Sequence, residues 1–153
     1  MIKVNVITKN IDWYNYIKNP SSYIDRRINR LNTSSENFKN KSFYFTLLLS
    51  GEKQIKSLNK KFRKKNKSTD VLSFPFYTKK DLNKRMSKKN DIYLGDIIIN
   101  LNKIIHKKKL KNFKTEFDNL WIHGLVHLFG YDHKREKDYL KMNNIEKKYS
   151  RFI

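Results

Sequence analysis

The sequence predicts a small protein of mixed α and β structure. Four short segments are rich in β-branched and aromatic residues, as strands are, and the segments between them carry apolar residues at helical spacing. The length of 153 residues suits a single domain, residues 1–153, that is large enough to bury a core. A cluster of histidines near the carboxyl end is the third observation, and it indicates the chemistry.

Strand patterns fall at residues 2–8, 43–50, 71–76 and 92–100. The first alternates apolar and polar side chains, which is typical of a half-buried strand, and the second is apolar enough to be central. In the third, Pro75 cannot donate to a β-ladder, so we expect a strand end or an edge strand. In the fourth, Gly95 indicates a β-bulge or the close approach of another backbone.

Helical spacing of apolar residues is clear at 52–61 and at 138–149, and weaker in two short segments, 13–17 and 23–31. The second weak segment is either a separate helix or a continuation of the first. A basic helix is expected at 101–113, with His106 on its lysine-rich surface. Thr115 is then expected to cap the helix that carries the other histidines.

Three polar stretches are expected to be loops. They are residues 32–41, the basic run that follows the helix at 52–61 and contains Arg63, and the lysine-rich residues 77–90. We expect the last of these to be a mobile surface hairpin or loop.

The charge of the chain favours a polyanionic partner. With 35 Lys and Arg against 14 Asp and Glu, the net charge is +21, which would attract nucleic acid and make its binding depend on salt. Mutational drift in an AT-rich genome is an alternative source of part of this charge, because Lys, Asn, Ile, Tyr and Phe are all plentiful. The absence of cysteine excludes a disulfide framework and a thiol nucleophile. Because no apolar stretch is long enough for a signal or a membrane span, we expect a cytoplasmic protein with no membrane role.

Three of the four histidines, His123, His127 and His133, lie within eleven residues. On a helix, His123 and His127 project from one strip about 40° wide, one turn apart, as two ligands of a tetrahedral zinc ion must. Gly130 readily takes the left-handed conformation that ends a helix, so the chain can turn back and bring His133 to the same point. Three histidines with an open fourth position are typical of catalytic zinc, and a buried hydrogen-bonded histidine cluster is the alternative.

The spacing H-x-x-x-H-x-x-G-x-x-H equals that of the metzincin proteases. Those enzymes carry Glu after the first His as general base, and here that position is Gly124. The ligands of a zinc protease are therefore present while its base is missing.

These residues resemble a known family. The segment from His123 to His133 is similar to the signature of the YbeY family, the bacterial metal-dependent endoribonucleases of rRNA maturation. Three further blocks resemble the family in the same order, from about residue 51 to residue 149, whereas the first 50 residues match only in layout. The blocks are Leu58-Asn59 with Phe62-Arg63 and residues 69–74, Leu94 to Ile97, and Met142 with Glu146.

The resemblance implies an α+β fold with a small mixed sheet of about four strands, helices packed on it, and a cleft that holds one Zn²⁺ on His123, His127 and His133. It also implies cleavage of single-stranded RNA, maturation of the 3′ end of small-subunit rRNA, and a role in ribosome quality control on the small ribosomal subunit. No DNA role is expected. By position, Arg63 matches the family's cleft arginine, whose guanidinium fork could hold the scissile phosphate.

Three acids near these blocks, Asp70, Asp96 and Asp132, are candidates to orient a ligand imidazole. Asp132 is equally suited to cap the turn before His133, and Asp70 to anchor the start of a strand.

Two other functions remain open from sequence. One is a zinc metalloprotease, favoured by the metzincin spacing and opposed by Gly124. The other is a non-catalytic ribosome-associated RNA-binding protein with a structural metal, favoured by the charge and opposed by the missing fourth ligand.

Overall fold

A four-stranded mixed sheet forms the centre of the computed structural model, which describes residues 1–34, 41–88 and 91–153. Its strands are β1 (Ile2–Thr8), β2 (Ser42–Ser50), β3 (Val71–Pro75) and β4 (Asp91–Asn100), in the order β1-β2-β4-β3. The β1–β2 and β2–β4 pairs are parallel, and β3 runs antiparallel to β4. The predicted α+β class is confirmed, and β3 is an edge strand that ends at Pro75, as its proline indicated.

Helices connect the strands. In the described residues they are α1 (Pro20–Ser34), α2 (Glu52–Arg63), α3 (Lys79–Lys88), α4 (Leu110–Leu128) and α5 (Glu136–Ser150), with short 3₁₀ helices at Ile11–Asn15 and Leu101–Lys103. No described helix is long and apolar enough to cross a membrane.

The two faces of the sheet are covered differently. Alternate residues of β2, from Phe43 to Leu49, enter the main core, where they join apolar side chains of α1, α4 and α5. The opposite face carries a smaller cluster in which Ile55 of α2 packs on Leu72 and Ile98. The helix α4 therefore lies in the main core, and α2 lies on the other side of the same sheet.

The helix α4 is apolar around most of its circumference, and its buried residues include Phe113, Phe117, Trp121 and Leu125. It begins at Leu110, so the prediction that Thr115 caps it is wrong. The Thr115 hydroxyl instead donates to the Lys111 carbonyl at 3.1 Å, inside the helix. Burial of Phe113 extends the helix by a turn ahead of the residue that looked like its cap.

The predicted basic helix at 101–113 is also wrong. Only Leu101–Lys103 is helical before α4, and Ile104 is buried in an extended conformation that ends the turn. The carboxylate of Glu116 then accepts from the backbone N–H groups of Ile105 and His106. His106 lies on the surface, as expected.

Residues 79–88 form α3 and not a loop or hairpin, which corrects the prediction for 77–90; residues 89–90 lie outside the described residues. The Thr78 hydroxyl accepts from the Asp81 N–H at 3.2 Å, and Leu82 is buried in the main core. Leu82, together with partly buried Met86, docks this lysine-rich helix on the core. Similarly, α1 extends into the predicted loop as far as Ser34, and the loop residues 35–40 lie outside the described residues.

Gly95 lies at a β-bulge, as predicted. The pairing of β2 with β4 shifts register between Tyr44 and Phe45, and Gly95 has a φ of 132°. A Cβ at this position would lie 2.1 Å from the Phe74 carbonyl oxygen, so only glycine fits.

Candidate metal centre and cleft

Two histidines project side by side from the last turns of α4. The Nε2 atoms of His123 and His127 lie 3.1 Å apart, and both side chains are half-buried. The turn after the helix brings the exposed ring of His133 to within 5.1 Å of the His127 ring and 5.6 Å of the His123 ring, between centroids. One ring nitrogen from each histidine lies within 4.8 Å of the others, so this group could hold a metal ion.

The turn that delivers His133 depends on Gly130, which has a φ of 78°. Its N–H donates to the His127 carbonyl at 2.8 Å, closing the helix end as predicted. A Cβ on Gly130 would also come within 3.0 Å of the Lys79 Cα. The ammonium of Lys79 reaches back over this turn, donates to the Phe129 carbonyl at 2.8 Å and lies 3.9 Å from the centre of the Tyr131 ring. The helix α3, unforeseen from sequence, thus holds the turn in place.

The other nitrogen of each helical histidine has an oxygen partner. The Nδ1 of His127 lies 2.8 Å from the Tyr131 carbonyl oxygen, and the Nδ1 of His123 lies 2.8 Å from Oε1 of Glu146. Because a carbonyl and a carboxylate oxygen accept, both Nδ1 atoms donate, and the neutral form of each ring then presents a lone pair at Nε2. Two lone pairs that face each other at 3.1 Å repel unless a cation lies between them, so the donor set fits a metal.

The acids that we considered for this orienting role have other partners. Asp70 accepts from the Val71 N–H at 2.8 Å, anchoring the start of β3, and Asp96 accepts from the Tyr93 hydroxyl at 2.6 Å. Asp132 accepts from the His133 N–H at 2.8 Å, which caps the turn. The orienting positions belong to Glu146 on α5 and to the Tyr131 backbone. In the sequence, Glu146 is distinguished only by its place in the family resemblance.

Burial lowers the pKa of His127, and the nearby His123 and His133 rings lower it further, against a raising effect of the Tyr131 carbonyl. The neutral imidazole is the form that binds a metal. The environment of His127 therefore favours the ligand form at neutral pH.

A cleft of about 720 Å³ opens beside the histidines. Basic residues from three parts of the chain line it together with His127 and His133, namely Arg63 and Lys65 at the end of α2, Lys79 of α3, and Lys134. The cleft therefore combines a potential metal centre with positive charge, which suits an anionic ligand.

Arg63 is the last residue of α2 and not part of a loop, because the helix continues until Lys64 takes a left-handed conformation. Its Nη2 donates to the Ser73 carbonyl at 2.8 Å, and its Cζ lies 5.9 Å from the centre of the Phe74 ring. Among the described residues this is the hydrogen bond that Arg63 makes, which leaves other donors of the fork for a ligand. The structure thus places the predicted arginine in the same cleft as the histidines.

Gly124, where metzincins carry their general base, faces the sheet. A Cβ at this position would lie 2.7 Å from Cγ2 of Ile97 on β4. A glutamate here would collide with the core before its carboxylate approached the histidines.

Comparison with known proteins agrees with this geometry. The family model for Endoribonuclease YbeY matches residues 9–153. The chain belongs to the YbeY family. The match includes most of the first 50 residues, where sequence reasoning found similarity only in layout, and the resemblance drawn from the motifs is confirmed.

Relatives in the YbeY family cover nearly the whole chain. Endoribonuclease YbeY of Pelagibacter ubique is 38% identical over 155 residues, which cover 100% of this chain and 97% of the relative. That of Ehrlichia canis is 36% identical over 148 residues, covering 95% and 88%. A Thermotoga maritima protein solved in solution has 25% identity and a TM-score of 0.59, covering 98% of this chain and 87% of its own.

Proposed function

We propose that this chain is a metal-dependent endoribonuclease that hydrolyses phosphodiester bonds in single-stranded RNA. The observation that carries the proposal is one cleft lined by Arg63 and by two of the three clustered histidines, His127 and His133, in a chain of net charge +21. The relatives named Endoribonuclease YbeY support the same reaction. We further propose maturation of the 3′ end of small-subunit rRNA on the small ribosomal subunit, and ribosome quality control, by a single cytoplasmic domain of residues 1–153.

The cofactor that we propose is one Zn²⁺ per chain, held by His123, His127 and His133. When bound, zinc would activate a water molecule as the nucleophile and polarise a phosphoryl oxygen. Both actions favour phosphodiester hydrolysis. Glu146 and the Tyr131 carbonyl hold the His123 and His127 rings so that each Nε2 stays free to bind the metal.

Arg63 binds the scissile phosphate in this proposal. Its guanidinium is oriented by the Ser73 carbonyl, so little side-chain freedom remains to be lost when the phosphate binds. Its charge also stabilises the negative charge that develops on the phosphoryl oxygens in the transition state. The lysines that line the cleft hold neighbouring phosphates.

Neither alternative is favoured by the site. A metalloprotease needs a base after His123, and Gly124 packs against Ile97 where that base would be. A structural zinc needs four protein ligands, whereas the potential ligand group in the described part of the chain consists of three histidines.

The reaction is tested by incubating the protein with labelled single-stranded RNA and with casein. RNA fragments alone should appear, and they should disappear with a chelator and in His127→Ala. His106→Ala is the matched control, because it removes an exposed histidine outside the metal group and should retain activity. Casein cleavage that is lost with the metal would instead support the protease, and nuclease activity that survives chelation and His127→Ala would contradict the proposal.

The cofactor is tested by elemental analysis of the purified protein. We expect about one zinc per chain, lost in the triple alanine variant of His123, His127 and His133 and retained in His106→Ala. Full occupancy in the triple variant would place the metal elsewhere.

A further inference from the structure

A second concavity of about 470 Å³ adjoins the metal cleft. Tyr77 and Thr78 line both concavities, so a bound chain can pass from one to the other without leaving the surface. Beyond this shared wall lie Phe76, at the end of the edge strand, and Lys84 and Arg85 of α3. We call Phe76, Tyr77, Lys84 and Arg85 the aromatic shelf.

Phe76 is held in position by its neighbours, but most of it is exposed to solvent. Its ring lies 4.9 Å from Tyr77 and 5.7 Å from Tyr93, between centroids, with the ring planes nearly perpendicular, and its N–H donates to the Leu94 carbonyl at 2.8 Å. Even so, 63% of the residue is exposed. A phenylalanine that two neighbouring rings position and that is largely open to water is suited to stack with a flat partner.

The shelf is positively charged. The guanidinium of Arg85 lies 5.4 Å from the centre of the Tyr77 ring, and Lys84 and Lys88 add two ammonium groups to the lining. Asp81 is the acid among the lining residues, and its carboxylate accepts from the Thr78 hydroxyl at 2.6 Å at the start of α3. Aromatic rings interleaved with cations are typical of single-strand nucleic-acid sites, where bases stack and phosphates pair with charges.

We propose that the aromatic shelf is a base-stacking subsite for the single-stranded RNA that leaves the metal cleft. Phe76 stacks on one base, and Lys84 and Arg85 hold the adjacent phosphates. Every base has a π face, so this subsite binds RNA with little sequence preference. The proposal rests on RNA being the substrate, and it adds a contact outside the reaction centre that increases affinity for longer strands.

Binding is measured by fluorescence anisotropy with labelled oligoribonucleotides of about 4, 8 and 12 nucleotides, within the range that single-strand sites occupy. A chelator is present, so that no strand is cut. We expect Phe76→Ala to weaken binding of the longer strands about fivefold or more, the lower end of what one lost stack costs. Binding of the shortest strand, which the cleft alone can hold, should change little.

Tyr14→Ala is the matched control. Tyr14 is also an exposed aromatic residue, at 49%, but it lies elsewhere on the protein. It belongs to the 3₁₀ helix that follows the carboxyl end of β1, whereas Phe76 lies beside the amino-terminal half of β4. This control should bind all strands like the wild type. A strand that is abasic in its outer half should bind wild type and Phe76→Ala equally, which separates stacking from charge.

Phe76→Trp keeps the ring and reports on stacking directly. Trp13 and Trp121 are fully buried, so a tryptophan at position 76 is the one that RNA can quench. Equal affinity of wild type and Phe76→Ala for long strands, with no quenching in Phe76→Trp, overturns the subsite and leaves the exposed ring as a protein-docking surface. These measurements need no cleavage, so the subsite and the nuclease activity can fail independently.

Discussion

Side chains at the metal cleft are held by partners from distant parts of the chain. His123 is bonded by Glu146, 23 residues later, and Arg63 by the Ser73 carbonyl on β3. Such bonds fix orientation before a ligand arrives, which reduces the ordering cost of binding. Substitutions at these positions should therefore affect metal binding or cleavage more than folding.

Arg63→Ala should retain metal and fold but lose cleavage by about 10²-fold or more, because a charge donor to the transition state is removed. Arg63→Lys should recover little, since an ammonium cannot reproduce a bidentate fork. Turnover, zinc content and thermal unfolding are measured together, with Arg30→Ala, an exposed arginine of α1, as control. Wild-type turnover by Arg63→Ala would show that Arg63 has no role in cleavage.

Glu146→Ala should weaken zinc binding by about 10-fold to 100-fold, because the His123 ring loses the acceptor that orients it. Glu146→Gln should bind zinc more tightly than the alanine variant, since its amide oxygen can still accept from Nδ1. Affinity is measured by competition with a chromophoric chelator. Glu136→Ala, in the first turn of the same helix, is the control. Equal zinc affinity for Glu146→Ala and wild type would show that Glu146 is not required.

At the scale of elements, α4 must serve the core and the metal site together. One strip of its surface carries His123 and His127, and most of its other side chains are buried against the sheet and neighbouring helices. Gly124 packs tightly against β4, because an added Cβ would meet three carbons of Ile97 within 3.1 Å. Close helix–sheet packing thus explains why this position carries no side chain.

Gly124→Ala should destabilise the protein by about 1 to 3 kcal/mol, the usual cost of overpacking, despite the better helix propensity of alanine. The cost should shrink when Ile97→Ala is already present, because all three close carbons are then gone. Urea unfolding of the two single variants and the double variant gives the coupling energy. Additive effects would show that Ile97 is not the source of the clash.

For the whole molecule, charge is the dominant property. A net charge of +21 on 153 residues creates a long-range positive field, and the cleft and the aromatic shelf concentrate cations beside the histidines. RNA affinity should therefore arise largely from phosphate contacts, whatever its sequence.

RNA binding is measured with a chelator present. The logarithm of the binding constant should fall linearly with the logarithm of the salt concentration, with a slope of about −0.7 for each phosphate neutralised. Lys65→Met in the cleft lining should make the slope shallower by about one phosphate. Lys18→Met, exposed and outside that lining, should leave the slope unchanged. A slope that is near zero for the wild type would show that the charge serves no RNA contact.

Local rules determined much of this protein from sequence alone. Histidine spacing, the left-handed preference of glycine and the missing N–H of proline act within a few residues, so the metal helix, its turn at Gly130 and the edge strand at Pro75 were predictable. Whether a basic segment is a helix or a loop depended instead on which of its few apolar residues pack on the core. Leu82 of α3 is buried in the core, and buried Ile104 is extended at the end of the turn before α4.

Only the tertiary structure decided which distant groups meet. Three arrangements bring together residues from separate elements. Glu146 bonds His123, Lys79 bonds the Phe129 carbonyl at the turn before His133, and Arg63 lines the same cleft as His127 and His133. Sequence periodicity gives the faces of a helix but not the element that packs on each face. The candidate ligands were therefore predictable, while their orienting partners, and the packing that leaves no space for a base at Gly124, depended on how α4 docks against the sheet and α5.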